Sequence, residues 1–363
     1  MKMKRKYLAA ALMMLALVSC GVGDDGYGPD GRWTPEKAGG WYAATGWRSG
    51  CDYIPASAIN QIEMWSSSTF DLPTIDKELG WAEELGFTTM RVFLSSVVWN
   101  HEPEAFKANI DRFLDVASSH GITPHLVFFD DCWDAESSYG PQRAPKPGIH
   151  NSGWVRDPSD ALRADTTALY PALEAYVKDI MTTFKDDERV LWWDLYNEPG
   201  NNGYKGASLP LVKKVFGWAR DVRPSQPVSV GLWSWSKGFE ELNEYQLSHS
   251  DIISYHCYSS PENHLARIRE LQEYGRPLYC TEYMARKHDS TFQNSLQMLR
   301  DNDVSAVNWG FVSGKTNTIF AWDEPLPDVA EPELWFHDIY RQDKTPFSQE
   351  EIDVIKHVNG VKQ

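Results

Sequence analysis

Short apolar segments alternate with longer amphipathic segments along most of the chain, and this alternation restricts the possible folds more than any other feature. Runs rich in β-branched and aromatic residues predict eight strands, at residues 41–45, 88–93, 123–129, 190–195, 227–232, 252–256, 277–281 and 306–311. Between them, apolar residues recur at three- and four-residue spacing, as in Phe292-Leu296-Leu299, which is typical of helices. Strands that are apolar nearly throughout and alternate with helices indicate a parallel sheet covered on its outer face.

Eight such units in one chain favour a closed α/β barrel, the (β/α)8 TIM barrel, over an open doubly wound sheet. The first predicted strand is not followed by the glycine-rich phosphate-binding turn that would support the open sheet. We expect long loops after strands one, three and eight. Reactive groups in such barrels lie at the C-terminal ends of the strands, so the polar residues that end each run are the candidates for function.

The N-terminal residues predict export. A basic start followed by an apolar run too short to span a bilayer is typical of a secretory signal, which we assign to residues 1–19. The run ends in Leu17-Val18-Ser19-Cys20, which resembles the bacterial lipobox and implies lipid attachment at Cys20; an ordinary signal peptide with a chance cysteine is the alternative. Residues 20–37, rich in Gly, Asp and Pro, predict a flexible tether, and residues 38–363 are expected to form one barrel domain. The expected location is the cell envelope, in the outer membrane or the periplasm, with surface exposure left open.

Charge and cysteine spacing exclude several kinds of partner. A formal net charge of −16 argues against binding to nucleic acid, whose phosphates would be repelled. The cysteines other than Cys20 lack zinc-type spacing and are interpreted as structural thiols, so we expect neither a metal nor a cofactor; they are Cys51, Cys132, Cys257 and Cys280.

Two glutamates end apolar runs at positions that packing explains poorly. Glu198 follows the fourth predicted strand, between Asn197 and Pro199, and Glu282 follows the seventh. Two carboxyl groups at strand ends of one barrel face a common cavity. Cleavage of a glycosidic bond needs such a pair, with one protonated acid for the leaving oxygen and one ionised group for the anomeric carbon.

The fourth strand ends in Trp193-Asp194-Leu195-Tyr196-Asn197-Glu198-Pro199, which resembles the strand-four motif of glycoside hydrolase clan A, including the cellulase-like family 5 and the family 2 barrels. The resemblance implies that Glu198 is the acid/base, that Asn197 binds the sugar 2-hydroxyl and that Glu282 is the nucleophile. Further matches follow in the order of the clan, over roughly residues 40–312, and imply substrate-binding roles for Arg91, His256, Tyr258 and Trp309.

These implied roles have physical reasons. A positive charge at Arg91 and a hydroxyl at Tyr258 would keep Glu282 ionised, whereas an apolar cleft would raise the pKa of Glu198. Clan A enzymes retain anomeric configuration, so the two carboxyl groups should lie about 5–5.5 Å apart.

Several features depart from the clan or stay open. Many members carry a His near the end of strand three, where this chain has Asp130 and Asp131, which either bind an unusual sugar or cap a loop; His125 is interpreted as core. The long segment after strand eight places Lys315 and Trp322 as candidates for the cleft. The polar and aromatic segment 60–65 either lines a subsite or packs under the rim.

Tryptophan is unusually frequent, with 16 residues, and its flat face stacks on pyranose rings. Many Trp lie where predicted strands run into loops, although packing alone explains a good part of them; these are Trp47, Trp65, Trp99, Trp133, Trp154, Trp233, Trp235, Trp309 and Trp322.

The sequence therefore predicts an enzyme, a retaining O-glycosyl hydrolase of the cellulase, mannanase or xylanase kind, acting on β-linked polysaccharides or oligosaccharides. The alternative is a non-catalytic glycan-binding protein on the same barrel, which normally loses one of the two carboxylates. Aldolase and metal-dependent hydrolase barrels lack support, because no strand-end Lys and no His-x-His pair is suitably placed.

Overall fold

A computed structural model describes residues 26–163 and 166–362. Eight parallel strands form a closed barrel in which each strand pairs with the next and the first pairs with the last. The strands are β1 (Ser49–Asp52), β2 (Thr89–Phe93), β3 (His125–Asp130), β4 (Trp193–Asn197), β5 (Val228–Leu232), β6 (Ile253–His256), β7 (Leu278–Glu282) and β8 (Val304–Trp309). The predicted (β/α)8 barrel is confirmed.

Helices cover the outside of the barrel. They are α1 (Pro35–Thr45), α2 (Gln61–Trp65), α3 (Leu72–Glu84), α4 (Ser96–His101), α5 (Pro103–Ser119), α6 (Asp160–Arg163), α7 (Thr166–Phe184), α8 (Leu209–Val222), α9 (Glu240–His249), α10 (Pro261–Gln272), α11 (Gln297–Asp301) and α12 (Gln349–Asn359). A π-helical turn, Phe292–Leu296, leads into α11. Within the described ranges, no helix has the length and apolar character that crossing a membrane requires.

The first strand was predicted in the wrong place. Residues 41–45 lie in α1, which begins after the N-cap Thr34, whose side chain accepts a hydrogen bond from the Lys37 amide, and has Pro35 in its first turn. The buried side of α1 packs Tyr42 against Trp192 and Tyr279 near the N-terminal ends of the strands. The aromatic residues that resembled a strand therefore cover one end of the barrel.

The true first strand is short and has little apolar character. At Gly50 a Cβ atom would lie 1.7 Å from the carbonyl oxygen of Thr89, so only glycine allows β1 to pair with β2. This close approach explains why the strand lacks the apolar pattern of the other strands.

Residues 26–37, which we expected in a flexible tether, are packed against the barrel. The Arg32 guanidinium donates to the carbonyl oxygens of Leu247 and Ser250 at 2.7 Å, and Trp33 is buried. The predicted signal peptide and Cys20 lie outside the described residues. The four described cysteines are unpaired thiols.

The long connections after β1, β3 and β8 build the upper rim. The first contains α2, where Trp65 is fully buried and its indole donates to the Phe93 carbonyl at 2.7 Å, so segment 60–65 packs under the rim, as one of the two alternatives stated. The loops after β3 and β8 bind each other: the Asn151 amide donates to the Thr316 carbonyl at 2.8 Å, and the Leu326 amide donates to the Gly148 carbonyl at 3.0 Å. These two loops form one continuous wall, which we call the β3–β8 wall.

Strand register brings the polar strand ends to one level. Asp52 lies opposite both Arg91 and Trp309. Asn197 lies opposite Asp130, and Glu282 lies opposite His256. Side chains from seven strands therefore meet at the C-terminal end of the barrel.

Candidate active site

A cleft of about 380 Å³ opens at the C-terminal ends of the strands. Carboxylates, amides and aromatic rings line it together: Asp130, Cys132, Trp133, His150, Asn151, Trp154, Asn197, Glu198, Asn201, Asn202, Trp233, Tyr258, Glu282, Trp309, Trp322 and His337. Apolar and aromatic surface with a few convergent polar groups is the composition expected of a small-molecule site.

Glu198 and Glu282 meet in this cleft, as the sequence predicted. A carboxylate oxygen of one lies within 4.8 Å of a carboxylate oxygen of the other. Glu198 is 9% exposed and Glu282 is 5% exposed, so both reach the cleft while being largely removed from water. This spacing leaves no room for a water molecule between the carboxyl groups on opposite faces of a sugar.

The backbone turns sharply where β4 ends, and this turn points Glu198 into the cleft. The β4–β5 register shifts between Asp194 and Asn197, and Glu198 has a φ of 44°, in the left-handed region that non-glycine residues rarely occupy. Its carboxylate accepts hydrogen bonds from His256 Nδ1 at 2.8 Å, from the Cys132 thiol at 3.2 Å and from the Asn201 amide. Burial raises the pKa of Glu198, which favours the protonated form.

Glu282 has stronger support for its negative charge. Arg91 NH1 donates to Oε1 at 2.9 Å, and the Tyr258 hydroxyl donates to Oε2 at 2.7 Å. Burial raises the pKa of Glu282, while Arg91 and Tyr258 act in the opposite direction. The expected contacts are present, but they counter the effect of burial rather than depress the pKa outright.

Arg91 is the centre of a buried charge network. It is fully buried, and it donates to Asp52 and Asp194 at 2.9 Å and to the Asn197 side-chain oxygen at 2.7 Å. One cation is thus shared among several carboxylates, including that of Glu282. Arg91 thereby fixes the side chains of four strands relative to one another.

His256 bridges the two glutamates. Its Nδ1 lies 2.8 Å from a Glu198 oxygen and 3.5 Å from a Glu282 oxygen. Burial lowers the pKa of His256 to about 3, so the ring is neutral and Nδ1 donates its proton to Glu198. A Cβ atom on Gly231 would lie 2.9 Å from Nε2, so the glycine in β5 makes room for this ring.

The adjacent acids after β3 have different surroundings. Asp130 lines the cleft and accepts from the Asn197 amide at 2.8 Å and from the Trp154 indole at 2.7 Å, and burial raises its pKa to about 6. Asp131 is fully buried and accepts from the Tyr196 hydroxyl at 2.7 Å and the Gly200 amide at 2.8 Å. The sequence left open whether these acids bind a sugar or cap a loop, and Asp131 caps a loop.

The aromatic candidates divide between cleft and core. Five of the nine Trp at predicted strand–loop junctions line the cleft: Trp133, Trp154, Trp233, Trp309 and Trp322. Trp309 is held edge-on by Phe93 and Trp154 at centroid distances of 5.8 and 5.7 Å. Lys315, predicted to bind substrate, is not among the lining residues; it pairs with Glu63 of α2 at 2.7 Å. The Lys315 ammonium is therefore held by the Glu63 carboxylate and not by groups of the cleft.

Sequence reasoning missed several residues of the site. Asp52 and Asp194 hold Arg91, but Asp52 ends a strand that gave no apolar pattern, and Asp194 is interior to its run. His150, Asn151 and His337 come from the β3–β8 wall, far from any strand end. Only the unusual length of those loops could have pointed to them.

Glu198, His256 and Glu282 also place ligand-type atoms within 4.8 Å of one another. These donors do not suit a metal ion, because His256 Nδ1 carries the proton it gives to Glu198 and the Arg91 cation already lies 2.9 Å from Glu282. The arrangement fits acid–base and nucleophilic chemistry better.

Comparison with known proteins identifies a family of glycosyl hydrolases. The family model Cellulase (glycosyl hydrolase family 5) matches residues 82–315. No curated protein matches the chain. Similar solved structures include a GH5_18 protein from Streptomyces cattleya in complex with Manb1-4GlcNAc, with 14% identity, a TM-score of 0.57, and coverage of 86% of this chain and 80% of that one.

Two further structures share the fold. The endo-1,4-beta-D-mannanase from Thermotoga petrophila has 16% identity and a TM-score of 0.56, and the match covers 87% of this chain and 100% of that one. The exo-beta-1,4-mannosidase Op5Man5 from Opitutaceae bacterium strain TAV5 has 15% identity and a TM-score of 0.60, covering 94% of this chain and 62% of that one.

Proposed function

Because this chain belongs to glycosyl hydrolase family 5 and is a retaining β-glycoside hydrolase, we propose that Glu282 is its nucleophile and Glu198 its acid/base. The observation that carries this assignment is the approach of the two carboxylates to within 4.8 Å across an aromatic-lined cleft. Retaining enzymes need this short separation, whereas inverting enzymes need about 6.5–9.5 Å to hold a water molecule.

In the first step, a Glu282 oxygen attacks the anomeric carbon while Glu198 gives its proton to the glycosidic oxygen. The bond to the aglycone breaks, and a covalent glycosyl–enzyme ester forms. In the second step, Glu198, now ionised, takes a proton from water, which attacks the anomeric carbon and releases Glu282.

The surroundings of the two acids support this division of roles. Glu198 receives hydrogen bonds from neutral donors only, and burial raises its pKa, which favours the protonated form that a general acid needs. Glu282 shares the charge of Arg91, which supports its anionic form. Asn197 is held by Arg91 and Asp130 beside the anomeric centre, where it would contact the sugar 2-hydroxyl.

A second groove supports a substrate longer than one sugar. Glu198 and Trp233 line both the cleft and a neighbouring groove of about 570 Å³. Trp235 also lines this groove, and the Arg267 guanidinium lies 3.6 Å from the centre of its ring. This groove is suited to the leaving portion of an oligosaccharide, because aromatic faces stack on pyranose rings.

The first test is hydrolysis of β-linked substrates. The mannan-acting enzymes among the similar structures put β-1,4-mannan and β-mannosides first in a panel that also contains β-glucan, xylan and aryl β-glycosides. NMR should detect a β-anomeric product before mutarotation. An initial α-anomer would contradict the retaining mechanism.

The glycan-binding alternative has no specific observation in its favour, since both carboxylates and their supporting residues are present. A protein that binds glycans in the panel but releases no sugar from any of them would support that alternative.

Replacing Glu198 by Ala is expected to slow hydrolysis of substrates with poor leaving groups by about 10²–10⁴-fold. Substrates with activated leaving groups, such as 2,4-dinitrophenyl glycosides, need no proton and should retain much of their first-step rate. Azide should rescue turnover and give a β-glycosyl azide, because it enters on the face that Glu198 serves.

The same variant gives a pH test. Because burial raises the pKa of Glu198, wild-type kcat/KM should fall as rising pH removes its proton. This alkaline limb should vanish in Glu198→Ala with an activated substrate. A limb that persists unchanged would assign the proton to another group.

We also propose that the protein is anchored in the cell envelope through lipid on Cys20. The basic start, the apolar run and the Leu17-Val18-Ser19-Cys20 motif support this attachment. Cys20→Ala should move the protein from the membrane fraction to the soluble fraction. Cys257→Ala is the control, since Cys257 lies in the barrel and should leave the distribution unchanged. Membrane retention of Cys20→Ala would contradict the anchor.

A further inference from the structure

The β3–β8 wall carries buried polar atoms beside the cleft that have no protein partner within the described residues. Asn151 is 2% exposed, and neither its side-chain nitrogen nor its oxygen is hydrogen-bonded within the described residues. The same holds for Nε2 of the fully buried His337. Both residues line the cleft. An unpaired buried polar group costs about 1–3 kcal/mol, so one that lies at the edge of a cleft is a candidate for pairing with a ligand.

Hydrogen bonds to backbone carbonyls determine which ring nitrogen of His150 and of His337 carries the proton. His337 Nδ1 lies 2.7 Å from the Met284 carbonyl, and His150 Nδ1 lies 2.8 Å from the Phe320 carbonyl. Each Nδ1 therefore carries the proton, which leaves Nε2 as a hydrogen-bond acceptor. Burial lowers the pKa of His150 to about 4 and that of His337 well below its ordinary value, so both rings are neutral at physiological pH.

The wall stands next to the reacting groups. The His337 ring lies 5.6 Å from the ring of Tyr258, whose hydroxyl holds Glu282. The His150 and His337 rings are 5.4 Å apart, and Trp133 lies 5.3 Å from His150. A sugar with its anomeric carbon at Glu282 would therefore direct hydroxyl groups toward this wall.

The described lining of the cleft offers no cationic side chain to a negatively charged sugar. No Lys or Arg is among the described residues that line it, whereas Glu198, Glu282 and Asp130 are. Arg91 lies beneath the cleft and is already shared by Asp52, Asp194 and Glu282. A uronate or sulfate would lose its hydration and meet carboxylates and lone pairs without gaining a counter-charge.

We propose that Asn151, His150 and His337 form a hydroxyl-binding subsite that selects a neutral sugar and rejects uronic acids and sulfated sugars. The two imidazoles accept hydrogen bonds from sugar hydroxyls, and the Asn151 amide both donates and accepts. This inference rests on the proposed glycosidase function, since it concerns the sugar whose bond is cleaved.

Asn151 is held rigidly enough to act in recognition. Its φ of 46° lies in the left-handed region that asparagine tolerates, and its backbone amide is bonded to Thr316 across the wall. Asn151→Gly keeps this backbone conformation available and removes the whole side chain, including its amide group. It is therefore a clean test of the side chain.

The experiment compares kcat and KM of the full-length wild type, Asn151→Gly and His337→Phe on the best neutral substrate of the panel. His264→Phe is the matched control, because His264 is also buried and has a ring nitrogen without a partner in the described structure, but lies outside the cleft. Asn151→Gly and His337→Phe should each lose about 10–100-fold in kcat/KM, and the control should lose little. Binding of a neutral monosaccharide or disaccharide product, measured by calorimetry, should weaken in parallel.

Wild-type selectivity gives a test that needs no variant. The aryl β-D-glucuronide should be hydrolysed at least about 100-fold less efficiently than the corresponding neutral glycoside. Comparable rates on both, or kinetics of Asn151→Gly and His337→Phe that match the His264→Phe control, would overturn the subsite. A wild type that hydrolyses no β-glycoside at all would instead refute the proposed function.

Discussion

Glu282→Ala is expected to lower kcat/KM on every β-glycoside substrate by at least about 10⁴-fold, because no other group can form the covalent intermediate. The three side chains that contact its carboxylate, Arg91, Tyr258 and His256, would keep their positions but hold no nucleophile. Glycan binding should persist, since the aromatic walls are untouched. The measurement is steady-state kinetics together with calorimetric titration of an oligosaccharide.

Glu78→Gln is the matched control. Glu78 is as buried as Glu282, and burial raises its pKa to about 7, yet it lies outside the cleft and accepts hydrogen bonds from Tyr53 and Ala56. A change at Glu78 should alter stability while leaving kcat close to that of the wild type. If both variants lost activity equally, the loss would reflect disturbed folding rather than chemistry.

Azide distinguishes the two acids from each other. In Glu282→Ala, azide would attack from the face that the nucleophile occupied and give an α-glycosyl azide from an activated β-glycoside, whereas Glu198→Ala should give the β-azide. Undiminished turnover by Glu282→Ala, or identical azide products from both variants, would remove the assignment of Glu282.

The barrel was predictable because seven of its strands are buried on both sides and are therefore mostly apolar. In β3, for example, burial on both faces leaves a continuous apolar run from Leu126 to Phe129. The carboxylate pair was predictable for the related reason that strand ends of a parallel barrel converge. Glu198 and Glu282 stand out because each interrupts an apolar run at its C-terminal end.

β1 could not be predicted, because its residues are selected by close contact rather than by hydrophobicity. Gly50 allows two backbones to approach, and Asp52 serves Arg91 instead of the core. Residues 41–45 were assigned to a strand because aromatic residues favour strands. They lie in a helix, and the helix start at Thr34-Pro35 was the signal that should have decided the assignment.

The cleft wall was hidden for a different reason. About half of the chain separates His150 from His337, and the pairing of the β3 and β8 loops brings their ring centres to 5.4 Å from each other. Such loop–loop contacts leave no periodic pattern in the sequence. Lys315 is the opposite case. It lies in a loop that does line the cleft, but its own side chain pairs with Glu63 and is not part of the lining.

Arg91→Met is expected to have the largest effect on folding. Arg91 is the only cation that contacts Asp52 and Asp194 among the described residues, and it is fully buried. Its removal leaves several carboxylates uncompensated in a low-dielectric interior, for which a loss of about 3–5 kcal/mol in the free energy of unfolding is typical. Activity should fall as well, because Glu282 loses its counter-charge. Urea and thermal unfolding measure the first effect, and kcat the second.

Two further variants separate charge from packing. Arg189→Met is the control, since Arg189 pairs with Asp111 and Asp115 at the surface, where removal of an arginine should change stability by only about 0–1 kcal/mol. In the wild type, Asp194→Asn should lower stability, because it removes a partner of Arg91. In the Arg91→Met background the same change should raise stability, because it removes the buried and unpaired charge of Asp194. If the double variant were less stable than Arg91→Met alone, then the packing of the guanidinium, rather than its charge, would be what holds these four strands together.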